Sequence, residues 1–269
     1  MDLLIFTVLG CGSSPGVPRV GNDWGACDPK NPKNRRLRCS LMIERVAEQG
    51  GITRVLIDTS PDLREQMLRE NVERIDGVLF THAHADHIHG IDDLRGFWII
   101  QRGLVPTYAD AATAERLHQA FGYCYKTPAG GSYPPILMDH RIEAGTPVTI
   151  DGPGGPITAL PFNQVHGDIF SLGFRIGDFA YSSDVSALDE QAFETLAGVE
   201  TWIVDALRYM PHPSHFSLSE AMEAARRLRP RRTIFTHMHI DLDFAKLSAE
   251  LPDGFEPAYD GLKLEMPVE

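Results

Sequence analysis

Four metal-binding side chains crowd into six positions at His82-Ala83-His84-Ala85-Asp86-His87, directly after the apolar run Val78, Leu79 and Phe80. The run has the composition of a buried strand, so the polar cluster falls where that strand ends. Open α/β sheets place their ligand sites at that edge. Three histidines and an aspartate cannot all be buried as neutral filler, because each would need its own polar partner where donors and acceptors are few. Nitrogen and oxygen donors without a thiolate suit zinc, manganese or iron, and the chemistry such an ion supplies is activation of water. A lone histidine usually marks a capped loop or a satisfied core position, whereas four donors at this spacing point to a ligand loop for a metal pair.

The 269 residues suffice for a large core, and no linker or shift in composition divides them, so a single domain over 1–269 is expected. No stretch offers the roughly 20 consecutive apolar residues of a membrane span. The first nine residues carry Asp2 and no basic residue, unlike a secretory leader, and the expected location is cytoplasmic. A net charge of −12 opposes general binding to a phosphate backbone, so nucleic acid is not the expected partner. Lys30, Lys33, Arg35, Arg36 and Arg38 form one basic run, read as a solvated loop, with steering of a phosphate toward a cleft as the alternative. Cys11, Cys27, Cys39 and Cys124 form no close pair and read as small buried hydrophobes. Oligomeric state stays open, a homodimer included.

Strand-like runs recur at residues 3–9, 55–57, 78–80, 202–204 and 233–235, with helical stretches between them, so the class is mixed α/β (α+β). Ser60 followed by Pro61 signals a helix start for residues 60–71, and Asp110 precedes a second helix over 111–121. A third begins at Ser217, whose hydroxyl and Glu220 form a capping box ahead of the stripe Leu218, Ala221, Met222, Ala225 and Leu228. Residues 10–39 are dense in Gly, Pro and charge, which at that length predicts a functional rim. Residues 128–135 and 151–156 read as hairpin turns. The heptapeptide Phe80 to Asp86 is echoed at Phe235-Thr236-His237-Met238-His239-Ile240-Asp241, which suggests two similar halves facing one site, with His237 brought near His82.

Further donors stand singly where other strands end: His166 after the run at 157–160, Asp184 after the run at 179–181, and His237. Together they complete two ligand shells with a carboxylate free to bridge. The motif His82 to His87, then His166, Asp184 and His237 in that order, resembles the metallo-β-lactamase-fold hydrolases over nearly the whole chain. That resemblance implies a four-layer αββα sandwich with two divalent ions, zinc or manganese. His82, His84 and His166 would hold one ion, Asp86, His87 and His237 the other, and Asp184 would bridge them. Asp58 matches an aspartate that supports the site from behind the ligands, where it would fix an imidazole tautomer. Capping of the following helix is its other reading.

Leu9-Gly10-Cys11-Gly12-Ser13-Ser14-Pro15-Gly16-Val17-Pro18, Arg35-Arg36-Leu37-Arg38-Cys39-Ser40 and Pro211-His212-Pro213-Ser214-His215-Phe216-Ser217-Leu218 are similar to the phosphodiesterase branch that cleaves phosphoribosyl cyclic phosphate. The similarity implies His215 as the group assisting the leaving group, with His212 as its competitor. Members of that branch carry a structural zinc held by cysteines of the N-terminal loop, whereas here the corresponding stretch reads Gly21-Asn22-Asp23-Trp24-Gly25-Ala26-Cys27 and offers only Cys27, which puts that zinc in doubt. The expectation is hydrolysis of a small phosphodiester, a cyclic phosphate or nucleotide-like molecule, to a phosphomonoester, with a nucleoside monophosphate as a product or mimic. The competing expectations are an RNA-processing nuclease, a thioesterase of the same fold, an oxidative role as in a cofactor-biosynthesis branch, and a metal-loaded nucleotide-binding protein without turnover.

Overall fold

Along the first strands, neighbouring residues bury into different cores. Phe6, Leu41, Ile43, Val55, Ile57 and Leu79 enter one apolar cluster, while Leu9, Met42, Leu56, Val78 and Phe80 enter another. The twofold alternation of strand side chains therefore splits these runs between two faces, and both faces are covered. Strands buried on both faces read as unbroken apolar runs.

The computed structural model describes residues 1–268. Its strands are β1 (Leu3–Gly10), β2 (Ser40–Val46), β3 (Ile52–Ile57), β4 (Gly77–Leu79), β5 (Val105–Ala109), β6 (Leu137–Arg141) and β7 (Val148–Ile150). They continue with β8 (Ile157–His166), β9 (Ile169–Ile176), β10 (Phe179–Ser182), β11 (Thr201–Asp205), β12 (Arg232–Thr236), β13 (Phe255–Pro257) and β14 (Lys263–Pro267). Two seven-stranded sheets result, ordered β14-β1-β2-β3-β4-β5-β6 and β13-β12-β11-β10-β9-β8-β7. The β3–β4–β5–β6 pairs are parallel, as are β10–β11–β12–β13.

The inner faces meet in one core, where Phe6 stacks on Phe179 with ring centroids 3.7 Å apart. The helices are α1 (Leu63–Arg69), α2 (Ala85–Ile88), α3 (Arg95–Gln101), α4 (Ala111–Tyr125), α5 (Glu190–Leu196), α6 (Leu218–Leu228) and α7 (Phe244–Glu250). Leu63, Phe97 and Leu117 cover the outer face of the first sheet, and Leu196, Ala221 and Leu247 pack against the second. This is the expected αββα sandwich.

The Ser217–Glu220 capping box is present at the start of α6. At α1 the N-cap is Asp62, two residues later than Ser60 suggests; the Ser60 hydroxyl accepts from the Asp62 amide and donates to Gln66, holding the turn that precedes the helix. Residues 151–156 close the antiparallel β7–β8 hairpin, but 128–135 join α4 to the parallel strand β6 and are no hairpin. All four cysteines are free and buried. Among the described residues, no helix is long and apolar enough to cross a membrane.

Candidate metal centre

After β4 the chain runs through His82 without regular secondary structure to His84, which has extended backbone at the start of α2, whose first turn carries Asp86 and His87. Gly90 lets this loop lie against the end of β3: a Cβ there would come within 2.0 Å of the Ser60 carbonyl oxygen. From the second sheet come His166 at the end of β8, Asp184 just past β10 and His237 directly after β12. Asp58, Asp184 and His237 have φ of 63°, 53° and 55°, a left-handed backbone that side chains rarely adopt and that concentrates at functional corners.

All seven predicted donors converge. His82, His84, His166 and Asp184 form one group whose donor atoms lie within 4.8 Å of one another, and Asp86, His87, His237 and Asp184 form a second. Asp184 belongs to both. One of its oxygens lies 3.1 Å from His87 Nε2, and the other lies 3.8 Å from His82 Nε2, 3.7 Å from His166 Nε2 and 3.5 Å from His237 Nε2. Donors about 2.0–2.2 Å from a shared ion stand roughly 3–3.5 Å apart, so the spacings to His87 and His237 match ligands around an ion and those to His82 and His166 are slightly longer. His82 Nε2, His87 Nε2, His237 Nε2, Asp86 Oδ2 and Asp184 Oδ1 are buried and have no hydrogen-bond partner. So many unmet polar atoms in one place are costly unless a cation satisfies them. The residues therefore fit divalent ions. His84 is exposed and marks the solvent side.

Hydrogen bonds behind the donors set their tautomers. Asp58 accepts from His87 Nδ1 at 2.7 Å and from the Thr81 amide and hydroxyl at 2.8 and 2.7 Å. The Thr81 hydroxyl, having donated to Asp58, accepts from His82 Nδ1 at 3.0 Å. His166 Nδ1 donates to the Ser214 carbonyl at 2.6 Å. Each bond places the proton on Nδ1 and leaves the Nε2 lone pair aimed into the cluster. Asp58 therefore does more than cap a helix, since one carboxylate orients both His87 and His82.

Burial disfavours the charged form of His82 and holds its pKa well below the usual range; the same cause lowers His166 to about 4. Burial also opposes the His87 cation, but Asp184, Asp86 and Asp58 outweigh it and raise its pKa well above normal. Asp184 is buried as well, yet His237, His87 and His82 together keep its carboxyl far below the usual range.

His215 lies beside the cluster, its ring centroid 4.7 Å from that of His166 and 4.6 Å from that of His237. His212 is turned toward its own loop, where Nδ1 meets the Ser214 amide and hydroxyl at 3.3 and 3.2 Å. Asp205, at the end of β11, was missed by the sequence analysis. Its Oδ2 accepts from His215 Nδ1 at 2.7 Å and from the Val185 amide at 3.0 Å, and its Oδ1 lies 3.7 Å from His237 Nδ1. The signal that could have found it is the one that found Asp184, a carboxylate closing an apolar strand. Asp205, His215 and His237 make a third group able to hold an ion, overlapping the second at His237. His239 and Asp241, from the echoed heptapeptide, pair with each other at 3.3 Å outside the cluster.

A clustered donor set at the joint edge of two sheets fits a metal centre of the metallo-β-lactamase fold. Residues 53–238 match the beta-lactamase superfamily domain, and a crystal structure described as a new diphosphatase from the PhnP family is 36% identical, with 99% of this chain and 98% of that one covered and a TM-score of 0.87. The chain belongs to the beta-lactamase superfamily and, within it, to the PhnP family. Zinc-bound PqqB from Methylobacterium extorquens shares the fold at 16% identity, with 97% and 99% of the two chains covered and a TM-score of 0.73. An octanoyltransferase of Porphyromonas gingivalis is 30% identical over 260 residues, which is 95% of this chain but 50% of that protein. The chain thus spans about half the length of that relative.

Proposed function

We propose that the protein is a dinuclear phosphodiesterase that hydrolyses a small phosphodiester, a cyclic phosphate or nucleotide-like molecule, to a phosphomonoester. The observation that supports this is Asp184, a buried carboxylate that belongs to both donor groups and lies among buried ligand atoms without hydrogen-bond partners. His82, His84 and His166 are assigned to one ion, Asp86, His87 and His237 to the other, and Asp184 to both, with zinc or manganese as the metal. When bound, such a pair would lower the pKa of water and neutralise charge on the phosphoryl oxygens. The protein's own part is to present neutral Nε2 donors, which the Asp58, Thr81 and Ser214 hydrogen bonds arrange in advance. His215 is assigned the proton passed to the departing alkoxide, and Asp205 holds its ring by Nδ1 so that Nε2 faces the leaving group. His84 is exposed to solvent, and the acidic chain favours a small substrate over RNA. One domain over 1–269 and a cytoplasmic setting complete the proposal, with a homodimer admitted.

The test is metal analysis followed by a substrate panel on the reconstituted protein. Two ions per chain are expected, with hydrolysis of bis-p-nitrophenyl phosphate and of cyclic phosphates. An octanoyl thioester belongs in the panel because one relative is named for octanoyl transfer. Turnover of the thioester but of no phosphodiester would reverse the assignment, and metal binding with no turnover of anything would favour a binding role.

A further inference from the structure

Arg36 is a guanidinium at 1% exposure with no carboxylate within ion-pair distance among the described residues. It belongs to a basic run that reads as solvated, yet its donors turn inward onto backbone carbonyls 203 and 206 residues away in the chain. Nη1 donates to the His239 carbonyl at 3.2 Å, and Nη2 to the Leu242 carbonyl at 2.6 Å. Around it the N-terminal loop clasps the segment that follows His237. The Ala26 amide donates to the Ile240 carbonyl at 2.9 Å, the Phe244 amide to Asn34 Oδ1 at 2.7 Å, and Asn34 Nδ2 to Asp243 at 2.6 Å. Val17, Cys27 and Ile240 seal the contact with a small apolar cluster.

A zinc ion in this loop, which the sequence resemblance raised, does not fit the residues present. Cys27 is the only loop thiol at the clasp; burial raises its pKa, and its Sγ contacts the carbonyls of Ile240 and Leu242. A permanent cation, Arg36, lies 3.9 Å from that sulfur. No group of donors able to hold an ion occurs in this loop among the described residues.

His237 depends on its backbone for placement, since neither ring nitrogen has a hydrogen-bond partner and its φ is left-handed. Upstream it is fixed by β12. Downstream the anchors are the Met238 amide on the Cys11 carbonyl at 2.8 Å, the His239 amide on the Leu207 carbonyl at 2.9 Å, and Arg36. Arg36 alone is charge-assisted and spans two carbonyls, a geometry that a lysine ammonium cannot reproduce in full. We propose that Arg36 is the positioning residue for the His237 side of the site, and that its guanidinium closes this loop where a metal ion of the loop's own would otherwise be needed. The inference rests on the assignment of His237 as a ligand.

Two measurements test it. In the wild-type protein, hydrogen exchange at the amides of Val17, Ala26 and Phe244 is expected to stay slow after chelation has removed the ions, and fast exchange on chelation would overturn the metal-free clasp. In Arg36→Met, one ion is expected to remain tight while the other weakens about 10- to 100-fold, as for loss of a group that orients a ligand. kcat should fall with KM little changed, and Arg36→Lys should restore part of the loss. Two ions bound at wild-type affinity in Arg36→Met, with a lowered melting temperature alone, would overturn the positioning role. If Arg36→Met does not fold, the same titration on Arg36→Lys decides, with weakening of one ion expected. A wild-type chain that binds no ion would instead refute the metal centre itself, while the exchange result would still judge the clasp.

Discussion

Replacing Asp205 by Asn keeps the shape of the side chain and removes its charge. The existing bonds dictate how the amide sits: Oδ2 already accepts from the His215 ring and the Val185 amide, so the carboxamide oxygen stays there and its NH2 takes the Oδ1 place facing His237 Nδ1. The His215 tautomer is preserved and the charge-assisted component of its 2.7 Å bond is lost. Hydrogen bonds to charged groups contribute about 1.5–3 kcal/mol. If that stabilisation is realised as His215 hands over its proton, kcat falls roughly 10- to 160-fold at 1.36 kcal/mol per factor of ten. The assay compares kcat for bis-p-nitrophenyl phosphate with kcat for a diester whose leaving group is an alkoxide, since only the poorer leaving group needs the full proton. The alkoxide substrate should show the larger drop, with two ions still bound. Equal rates within twofold for both substrates would refute the argument. A fall in metal content that tracks the rate would instead make Asp205 a ligand, as its membership of the third donor group allows.

Asp184→Asn removes the shared carboxylate and is expected to empty both positions, read as less than one ion per chain by elemental analysis with loss of diesterase activity. Asp58→Asn should weaken metal binding roughly 10- to 100-fold while leaving the fold intact, measured by competition with a chromogenic chelator. Phe6→Ala opens a void between the sheets at the stacked Phe179 and should cost about 3–5 kcal/mol in urea denaturation. In the metal-free protein, His82 and His166 have folded pKa values below the unfolded value near 6.5, so their contribution is complete above that value and is lost as pH falls, for His166 through about 4. His87 has the opposite sign, its raised pKa giving stability below the unfolded value that is lost as pH rises through the folded one. His166→Gln should therefore flatten the acid side of a stability profile, and an unchanged slope there would contradict the assignment.

The ligand loop was legible because its donors are contiguous, and His166, Asp184 and His237 because each follows an apolar run. Asp205 carries the same signature, a carboxylate closing an apolar strand, but no histidine adjoins it in sequence to draw attention to it. The two-sided burial of β1 to β4 is hidden in sequence, since alternation between two apolar faces looks like no alternation. Arg36 was illegible for a different reason: its acceptors are carbonyls more than 200 residues away, and nothing in a basic run says which member will find them. The N-cap of α1 at Asp62 likewise shows only in the folded turn, where the Ser60 hydroxyl finds its partner, Gln66.

The donors come from both sheets, His82 to His87 from the first and His166, Asp184 and His237 from the second. Under the proposed assignment, two ions seated there would join the sheets across the seam, so that sliding of one half against the other and release of metal would become the same event. The melting temperature should then climb with free metal concentration, by about 2.7 kcal/mol of added stability at a hundredfold excess over the dissociation constant. Mutations in the inter-sheet core far from the pocket, by loosening the seam, would raise the metal concentration the protein needs in order to work.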